Sequence, residues 1–213
     1  MTNYIVSMAI AVALLAGACH AADTPAAPKP AAAKPAPAAP ATAAAATAPR
    51  WVQAPSGSSL VFVFTQAGAA SKGSFKQFTT DLVYDEKSPA TGSLDVKVQI
   101  GTIDTQDRER NELVVGADLF DAKKFPTAQY TAKSLTPNAS GGVDAAGKLT
   151  LRGVTRDLRL PLKIVKTAAG LELSGEAVIK RLDYGVGQGE WKSTEDVADD
   201  VKVQYTVALV KAK

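Results

Sequence analysis

The stretch LDVKVQI, residues 94–100, alternates apolar and polar side chains without a break. Because an extended strand turns successive side chains to opposite faces, one face of this segment is apolar and the other is polar. The same period of two recurs in LRLPLKI at residues 158–164 and in VKVQYTVAL at residues 201–209, with shorter runs at 149–151 and 171–179. Alternation of this kind predicts half-buried β-strands.

Residues that favour turns separate these runs at 87–89 (KSP), 138–142 (NASGG) and 168–170 (AAG). A further run, LVFVFT at residues 60–65, is apolar on both faces and also has the composition of a strand. We count about eight strands, most of them joined by short turns. The sequence therefore predicts an all-β domain, with an antiparallel sheet that is closed or folded on itself.

One segment interrupts the alternation, at residues 105–125 (TQDRERNELVVGADLFDAKKF). Asp107 is a suitable N-cap for a helix over residues 108–115, which Gly116 would end. Asp118 could cap a second short turn before Pro126. This pattern predicts a short helical insertion between two strands. If the sheet closes into a barrel, the insertion can lie across one of its mouths.

The amino-terminal residues 1–21 have the features of an export signal. Residues 5–18 are small or apolar and carry no charge, a length that suits a secretory signal and is short for a membrane span. Two processing sites fit. Residues 16–19 (AGAC) resemble a lipoprotein box, which would lipidate Cys19 and tether the protein to a membrane, whereas cleavage before Ala22 would release an unmodified chain.

Residues 22–50 are a linker dominated by alanine and proline. Between residues 22 and 49 there are 15 alanines and 7 prolines, so the segment cannot bury a core or form a continuous helix. We expect it to be disordered. The folded domain is predicted to occupy residues 51–213.

The composition of this domain excludes several kinds of chemistry. From residue 21 onwards the chain has no histidine, cysteine or methionine, which removes Ser-His-Asp and Cys-His triads, cysteine–histidine zinc sites and disulfides. The net charge of +3 is too small to indicate nucleic-acid binding. The glycines at 185, 187 and 189 are interpreted as a turn, and the acidic residues between 195 and 200 as a solvated loop. We therefore predict no catalytic residues, metal or cofactor.

Several segments together resemble the YceI family. They lie in the same order as in that family and cover nearly all of residues 51–213: FTQAGAASKGSF (64–75), residues 103–107 with Arg110, residues 116–121, GKLTLRGVTR (147–156), RLDYGVGQGEW (181–191) and residues 199–201. The resemblance implies an eight-stranded, lipocalin-like antiparallel barrel that is exported to the periplasm. It also implies that the barrel interior holds a long isoprenoid or a related lipid.

The apolar strand faces, together with one aromatic residue after the glycine-rich turn, are the candidates for such a ligand cavity: Phe62, Phe64, Leu94, Val96, Val98, Ile100, Leu158, Leu160, Leu162 and Trp191. Phe62 and Phe64 are taken jointly because their run has no polar face to orient it. Arg110 falls on an arginine of the family and is the candidate for a polar entrance residue. Trp191 could either plug one barrel end or line the entrance.

Three functional classes agree with these observations. The first is a periplasmic protein that carries or sequesters a polyisoprenoid, an isoprenoid quinone or a similar lipid. The second is an enzyme that acts on such a lipid. The third is a small outer-membrane barrel, because alternation alone does not say which face points outward. A side-chain-filled barrel and a hollow one both fit the pattern, and the oligomeric state is open, with a dimer among the alternatives.

Overall fold

The computed structural model describes residues 48–213, so the export signal, Cys19 and most of the linker lie outside the described part of the chain. Within it, one α-helix, α1, accompanies eleven strands and short 3-10 turns. The strands are β1 Arg50–Gln53, β2 Ser59–Gln66, β3 Ala69–Phe75, β4 Phe78–Val83, β5 Ser93–Gln99, β6 Ile103–Asp104, β7 Thr127–Pro137, β8 Val143–Leu151, β9 Val154–Thr167, β10 Gly170–Lys180 and β11 Asp200–Lys211, and the helix is α1 Arg108–Val114. The first strand begins at Arg50, one residue before the predicted domain start.

The strands form one antiparallel sheet that closes into a barrel. The order β1-β4-β5-β7-β8-β9-β10-β11 returns to β1, so eight strands form the ring. The three remaining strands prolong their neighbours: β2 follows β1 along β11, β3 pairs with β2, and β6 pairs with β3. The prediction of about eight antiparallel strands in a lipocalin-like barrel is confirmed. The count of eleven arises because three of the barrel strands are each broken in two.

The polar residues of the alternating strands face solvent and the apolar ones face the interior. In β5, Lys97 is exposed while Leu94 is buried. In β11, Lys202 and Gln204 are exposed while Tyr205 and Leu209 are buried. An outer-membrane barrel carries its apolar band on the outside, which is the reverse arrangement. Separately, no helix in residues 48–213 has the length and apolarity needed to cross a bilayer.

The predicted helical insertion forms, over residues 108–114 rather than 108–115. The carboxylate of Asp107 accepts a hydrogen bond from the backbone N–H of Arg110 at 3.0 Å, which caps the amino end of α1. The prediction that the side chain of Asp118 caps a second short turn is wrong. Asp118 contributes its backbone carbonyl instead, which accepts the N–H groups of Gly187 and Gln188 at 3.0 and 2.7 Å.

One half of the barrel interior is filled with side chains. Leu82, Leu135 and Leu209 have at most 1% of their surface exposed, and they come from the adjoining ends of β4, β7 and β11. Leu94 pairs with Leu82 across the sheet and is equally enclosed. Because these leucines fill the space between the strands, this half needs no other occupant.

The backbone pairing between the long strands β9 and β10 is short. β10 pairs with β11 over ten residues but with β9 over only five, Gly170–Ser174 against Lys163–Thr167. The remaining part of β10, Gly175–Lys180, has no ladder partner on the β9 side. Pro161, near the end of this ladder, has no backbone N–H to donate.

Candidate functional site

The other half of the barrel is hollow. It encloses a cavity of about 260 Å³, which is closed at one end by the filled half and reaches α1 and residues 181–197 at the other. All ten predicted apolar candidates lie on the wall of this cavity: Phe62, Phe64, Leu94, Val96, Val98, Ile100, Leu158, Leu160, Leu162 and Trp191. Arg110 lines it as well. The structure thus brings the whole predicted set together, and its role in ligand binding stays a prediction.

Cross-strand pairing explains why these residues meet. Val96 lies opposite Tyr130 on β7 and Thr80 on β4, and Val98 lies opposite Phe78. Paired residues in an antiparallel sheet point to the same face, so each pair contributes two side chains to the same part of the wall. Val96 and Val98 are only half-buried although they point inward, because the space in front of them is open.

Aromatic rings cover one side of the cavity. The ring of Phe62 lies over Gly73, where a Cβ atom would collide with it. Its centroid is 6.0 Å from that of Phe64 and 5.3 Å from that of Phe75, and Phe75 meets Phe120 edge-on at 6.2 Å. These distances are favourable for aromatic pairs. Phe75 and Phe120 were not among the predicted cavity residues, and they join the barrel wall to the insertion.

Two tyrosines lie deep in the cavity. Each ring lies over a glycine of the neighbouring strand, Tyr130 over Gly147 and Tyr205 over Gly175, where a Cβ atom would be 2.7 and 2.5 Å from the tyrosine oxygen. Both hydroxyls donate to backbone carbonyls, that of Tyr130 to Ala145 at 2.7 Å and that of Tyr205 to Pro161 at 2.6 Å. Burial raises the pKa of Tyr130 to about 12 and also raises the pKa of Tyr205.

Arg181 organises the loop at the mouth of the cavity. It is 5% exposed, and its guanidinium donates five hydrogen bonds of 2.7–3.1 Å. The acceptors are backbone carbonyls of residues 186, 191, 193, 197 and 198, so all five N–H groups of the side chain are used. Burial lowers the pKa of Arg181, and nearby Asp199 partly offsets this effect. Arg181 is therefore a structural residue that holds the loop closed.

The sequence contained a signal for Arg181 that was missed. Leu171, Leu173, Ala177 and Ile179 face the interior of β10, and continuing their period of two leads to residue 181. An arginine on an inward face requires partners, because burying an unpaired charge is costly. The alternation therefore marked it as a residue with a buried polar role.

The glycine-rich turn at residues 185–189 and the acidic residues between 195 and 200 also help to hold the loop at the mouth in place. A Cβ atom at Gly187 would collide with the Arg181 guanidinium, and its φ of +109° also favours glycine. The carboxylate of Asp199 accepts the backbone N–H of Leu182 at 2.9 Å, and that of Asp200 accepts a hydrogen bond from Lys180 at 3.0 Å. These residues therefore have structural partners, in agreement with their interpretation as a turn and a loop.

The mouth also carries Trp191, Arg110 and the exposed part of α1. Trp191 lines the cavity from the short 3-10 helix Gly189–Lys192, and its carbonyl is one of the acceptors of Arg181. Arg110 projects from α1 with its side chain one-third exposed and its Nη2 4.0 Å from Asp107. Leu113, three residues further, lines the cavity yet is 46% exposed. The insertion thus lies at one mouth of the barrel, as predicted.

Two arginines of the β8–β9 hairpin donate hydrogen bonds to backbone carbonyls of the loops at the mouth. Arg152 and Gly153 both have positive φ, which is the geometry of a two-residue type I′ turn. This turn lets the Arg152 guanidinium donate to the carbonyls of Ala117 and Gly185, so it links the insertion to the loop that Arg181 holds. Arg156, on the same hairpin, donates to the carbonyl of Asp183 at 2.6 Å.

Several known proteins are similar to this chain in sequence. Protein YceI of Escherichia coli O17:K52:H18 is 31% identical over 122 residues, which cover 54% of this chain and 62% of that protein. The match thus spans less than two thirds of the relative's length. The UPF0312 protein YE1254 of Yersinia enterocolitica is 28% identical over 149 residues, which cover 66% of this chain and 74% of that protein.

Solved structures share the barrel. BcnA of Burkholderia cenocepacia superposes with a TM-score of 0.68 at 31% identity, over 70% of this chain and 94% of that one. The YCEI protein of Campylobacter jejuni gives 0.60 at 26% identity, over 68% and 86%. A polyisoprenoid binding domain from Saccharophagus degradans gives 0.60 at 15% identity, over 76% and 98%, which is a likeness of fold alone. The family model of the YceI-like domain matches residues 51–209, most of the chain, and the protein therefore belongs to the YceI-like family.

Proposed function

We propose that this protein is an exported carrier that holds one long hydrophobic ligand, a polyisoprenoid, an isoprenoid quinone or a similar lipid, inside its barrel. The observation that carries the proposal is the cavity of about 260 Å³ with almost wholly apolar walls, in a barrel whose other half is tightly filled. Each methylene group moved from water into such a site contributes about 0.8 kcal/mol. A chain of several isoprene units would therefore bind tightly even after the cost of ordering it.

The shape and chemistry of the walls support a chain-like ligand. Much of the cavity is lined by leucine and valine, as at Val96, Val98, Leu158 and Leu160, and it continues from the filled half to the mouth at Trp191. Aliphatic walls suit a flexible hydrocarbon chain. The Saccharophagus degradans domain, which shares this fold, is named for polyisoprenoid binding.

The titratable groups around the cavity favour binding over catalysis. Among residues 48–213, the titratable groups that line it are Arg110, Arg181, Tyr130 and Tyr205, without a carboxylate. Arg181 and both tyrosines already donate to backbone carbonyls, and the raised pKa values of the tyrosines keep them neutral near pH 7. General acid–base catalysis needs a group whose pKa lies near the working pH. An enzyme acting on the bound lipid is the less well supported alternative.

The amino-terminal leader supports a location outside the cytoplasm. In this proposal the protein works in the periplasm, either tethered through a lipidated Cys19 or free with Ala22 as its first residue. Intact-mass measurement of the protein from its native host distinguishes the two forms, since lipidation adds a large mass to a chain that begins at Cys19. A chain that still begins at Met1 would contradict export.

The function is tested by identifying what the barrel contains. The protein is purified from its native host without detergent, extracted with organic solvent, and the extract is analysed by mass spectrometry. We expect about one long-chain lipid per barrel, and a smaller amount from a Val98→Phe variant purified in parallel, because its ring occupies the cavity. If neither protein yields a lipid, and the emptied barrel binds no isoprenoid added in solution, the proposal is wrong.

A further inference from the structure

The inner end of the cavity can be located on individual strands. On β4, Thr80 lines the cavity, whereas Leu82, the next residue on the same face, does not. On β11, Val207 lines the cavity and Leu209 does not. Leu82 pairs across the sheet with Leu94, which is the cavity-lining residue of β5 nearest to the filled half. The cavity therefore stops where the side chains of Leu82 and Leu209 begin.

Three leucines close this inner end, and we call them the leucine layer: Leu82, Leu171 and Leu209. They come from β4, β10 and β11, and each is at most 4% exposed. Leu171 and Leu209 are paired across the sheet, and all three belong to the same apolar core. Because protein interiors are close-packed, a ligand chain that reaches this layer cannot advance further without displacing it.

The inner end of the cavity presents apolar groups to a ligand. Leu173 and Val207 border it there, and the hydroxyls of Tyr130 and Tyr205 already donate to backbone carbonyls. The Oγ1 atom of Thr80 is buried in the wall and does not face the cavity. The exposed and charged groups of the lining lie at the mouth. The polar end of a lipid therefore stays at the mouth, and its hydrocarbon end meets the leucine layer.

We propose that the leucine layer sets the length of the isoprenoid chain that this protein selects. The inference rests on the proposed function and narrows it, because isoprene units beyond those that fit between the leucine layer and the mouth stay outside and add little affinity. Each methylene group that is buried strengthens binding about fourfold before the cost of ordering the chain. Affinity should therefore rise steeply with chain length and then level off at one length, the break point.

The break point is measured with isoprenoid alcohols of increasing length, from geraniol through farnesol and geranylgeraniol to longer members of the series. Their affinities for delipidated protein are determined by displacement of a fluorescent apolar dye. The variant Leu82→Ala shortens a side chain of the leucine layer and extends the cavity, whereas Val207→Phe adds a ring at the inner end and shortens it. Leu135→Ala is the matched control, since Leu135 is also fully enclosed but lies beside Gly92, outside the cavity lining.

In the unchanged protein we expect each isoprene unit below the break point to raise the affinity about tenfold or more, and each unit above it to raise the affinity by less than about twofold. Leu82→Ala should move the break point to a longer chain and Val207→Phe to a shorter one, by about one isoprene unit each. Leu135→Ala should leave it unchanged. Thermal unfolding checks that each variant is folded. Should Leu82→Ala fail to fold, the opposite shift in Val207→Phe still decides.

A break point that stays in place in both Leu82→Ala and Val207→Phe, or that moves equally in Leu135→Ala, would overturn the inference and leave the proposed function intact. An affinity that rises through the whole series in the unchanged protein, without levelling off, would do the same. If the unchanged protein binds none of the alcohols, the proposed function fails, and this inference fails with it.

Discussion

The hydroxyl of Tyr205 donates a hydrogen bond of 2.6 Å to the carbonyl of Pro161, at the place where β9 and β10 separate. The tyrosine ring reaches β9 by lying over Gly175 of β10, which has no side chain to block it. The bond satisfies a carbonyl at the point where the regular β9–β10 ladder has ended. One side chain thus joins two strands where their backbone pairing stops.

Changing Tyr205 to phenylalanine should lower the free energy of unfolding by about 1–2 kcal/mol, because the Pro161 carbonyl loses its partner while the ring stays in place. Denaturant titration measures this change. Tyr84→Phe is the matched control, since the Tyr84 ring is half-buried and its hydroxyl makes no hydrogen bond within residues 48–213. The control should change the stability by less than about 0.5 kcal/mol. Equal effects of both variants would contradict a role for this bond.

Hydrogen exchange should reveal the open seam between β9 and β10. In an antiparallel sheet, successive amides of a strand point to alternate neighbours. From Glu176 to Lys180, the amides that point away from β11 should therefore exchange rapidly, while those in Gly170–Ser174 are protected by β9. β8 is paired on both sides and supplies the reference. Uniform protection along the whole of β10 would show that the seam is closed in solution.

A ring added in the hollow half should be tolerated, and one added in the filled half should not. Val98 lines the cavity, whereas Val143 is 5% exposed and lies outside the cavity lining. We expect Val98→Phe to change stability by less than about 1 kcal/mol and to reduce bound lipid, and Val143→Phe to cost about 1–3 kcal/mol through overpacking. Denaturant titration and lipid extraction give the two readouts. Strong destabilisation by Val98→Phe would mean that the cavity is not available.

Removing the Arg181 guanidinium should open the loop at the mouth. Arg181→Met leaves five backbone carbonyls without donors, so we expect a loss of about 3 kcal/mol in the free energy of unfolding. Limited proteolysis should then cut within residues 186–198. Arg108→Met is the control, because that side chain is 90% exposed and, in the described part of the chain, pairs only with Glu112 at the surface. If residues 186–198 stay resistant in Arg181→Met, the five bonds do not hold the loop.

The protein should lose stability in alkali above about pH 10. Burial raises the pKa of Tyr130 from 10.0 to about 12, so the folded state retains this proton more strongly than the unfolded state does. The stabilisation is complete below the unfolded pKa and is lost as the pH rises through the folded value. The tyrosinate absorbance of Tyr130 is obtained by subtracting the titration of Tyr130→Phe from that of the unchanged protein. It should therefore appear near pH 12 or together with unfolding. A Tyr130 signal near pH 10 in folded protein would contradict its burial.

The sequence alone determined which side chains face the interior. In β5, for example, Leu94 and Val98 alternate with charged neighbours, so only one face of the strand can be removed from water. That rule is local, since it depends on the pleat of a single strand. It selected the predicted cavity residues within 94–100 and 158–162, all of which line the cavity, but it did not select Phe62, Phe64 or Trp191. It also predicted α1, because Asp107 caps the helix through a bond to a residue three positions away.

Tertiary structure alone decided which inward-facing side chains are enclosed by others and which border the cavity. Phe78 and Leu82 share a face of β4, yet Leu82 is fully enclosed while Phe78 borders the cavity. The difference depends on how many large side chains arrive from strands that are distant in sequence, such as Leu135 and Leu209. The same applies to Arg181. Whether a buried polar group finds a partner is set by backbone and side chains brought near it by the fold, and the alternation of one strand carries no information about them.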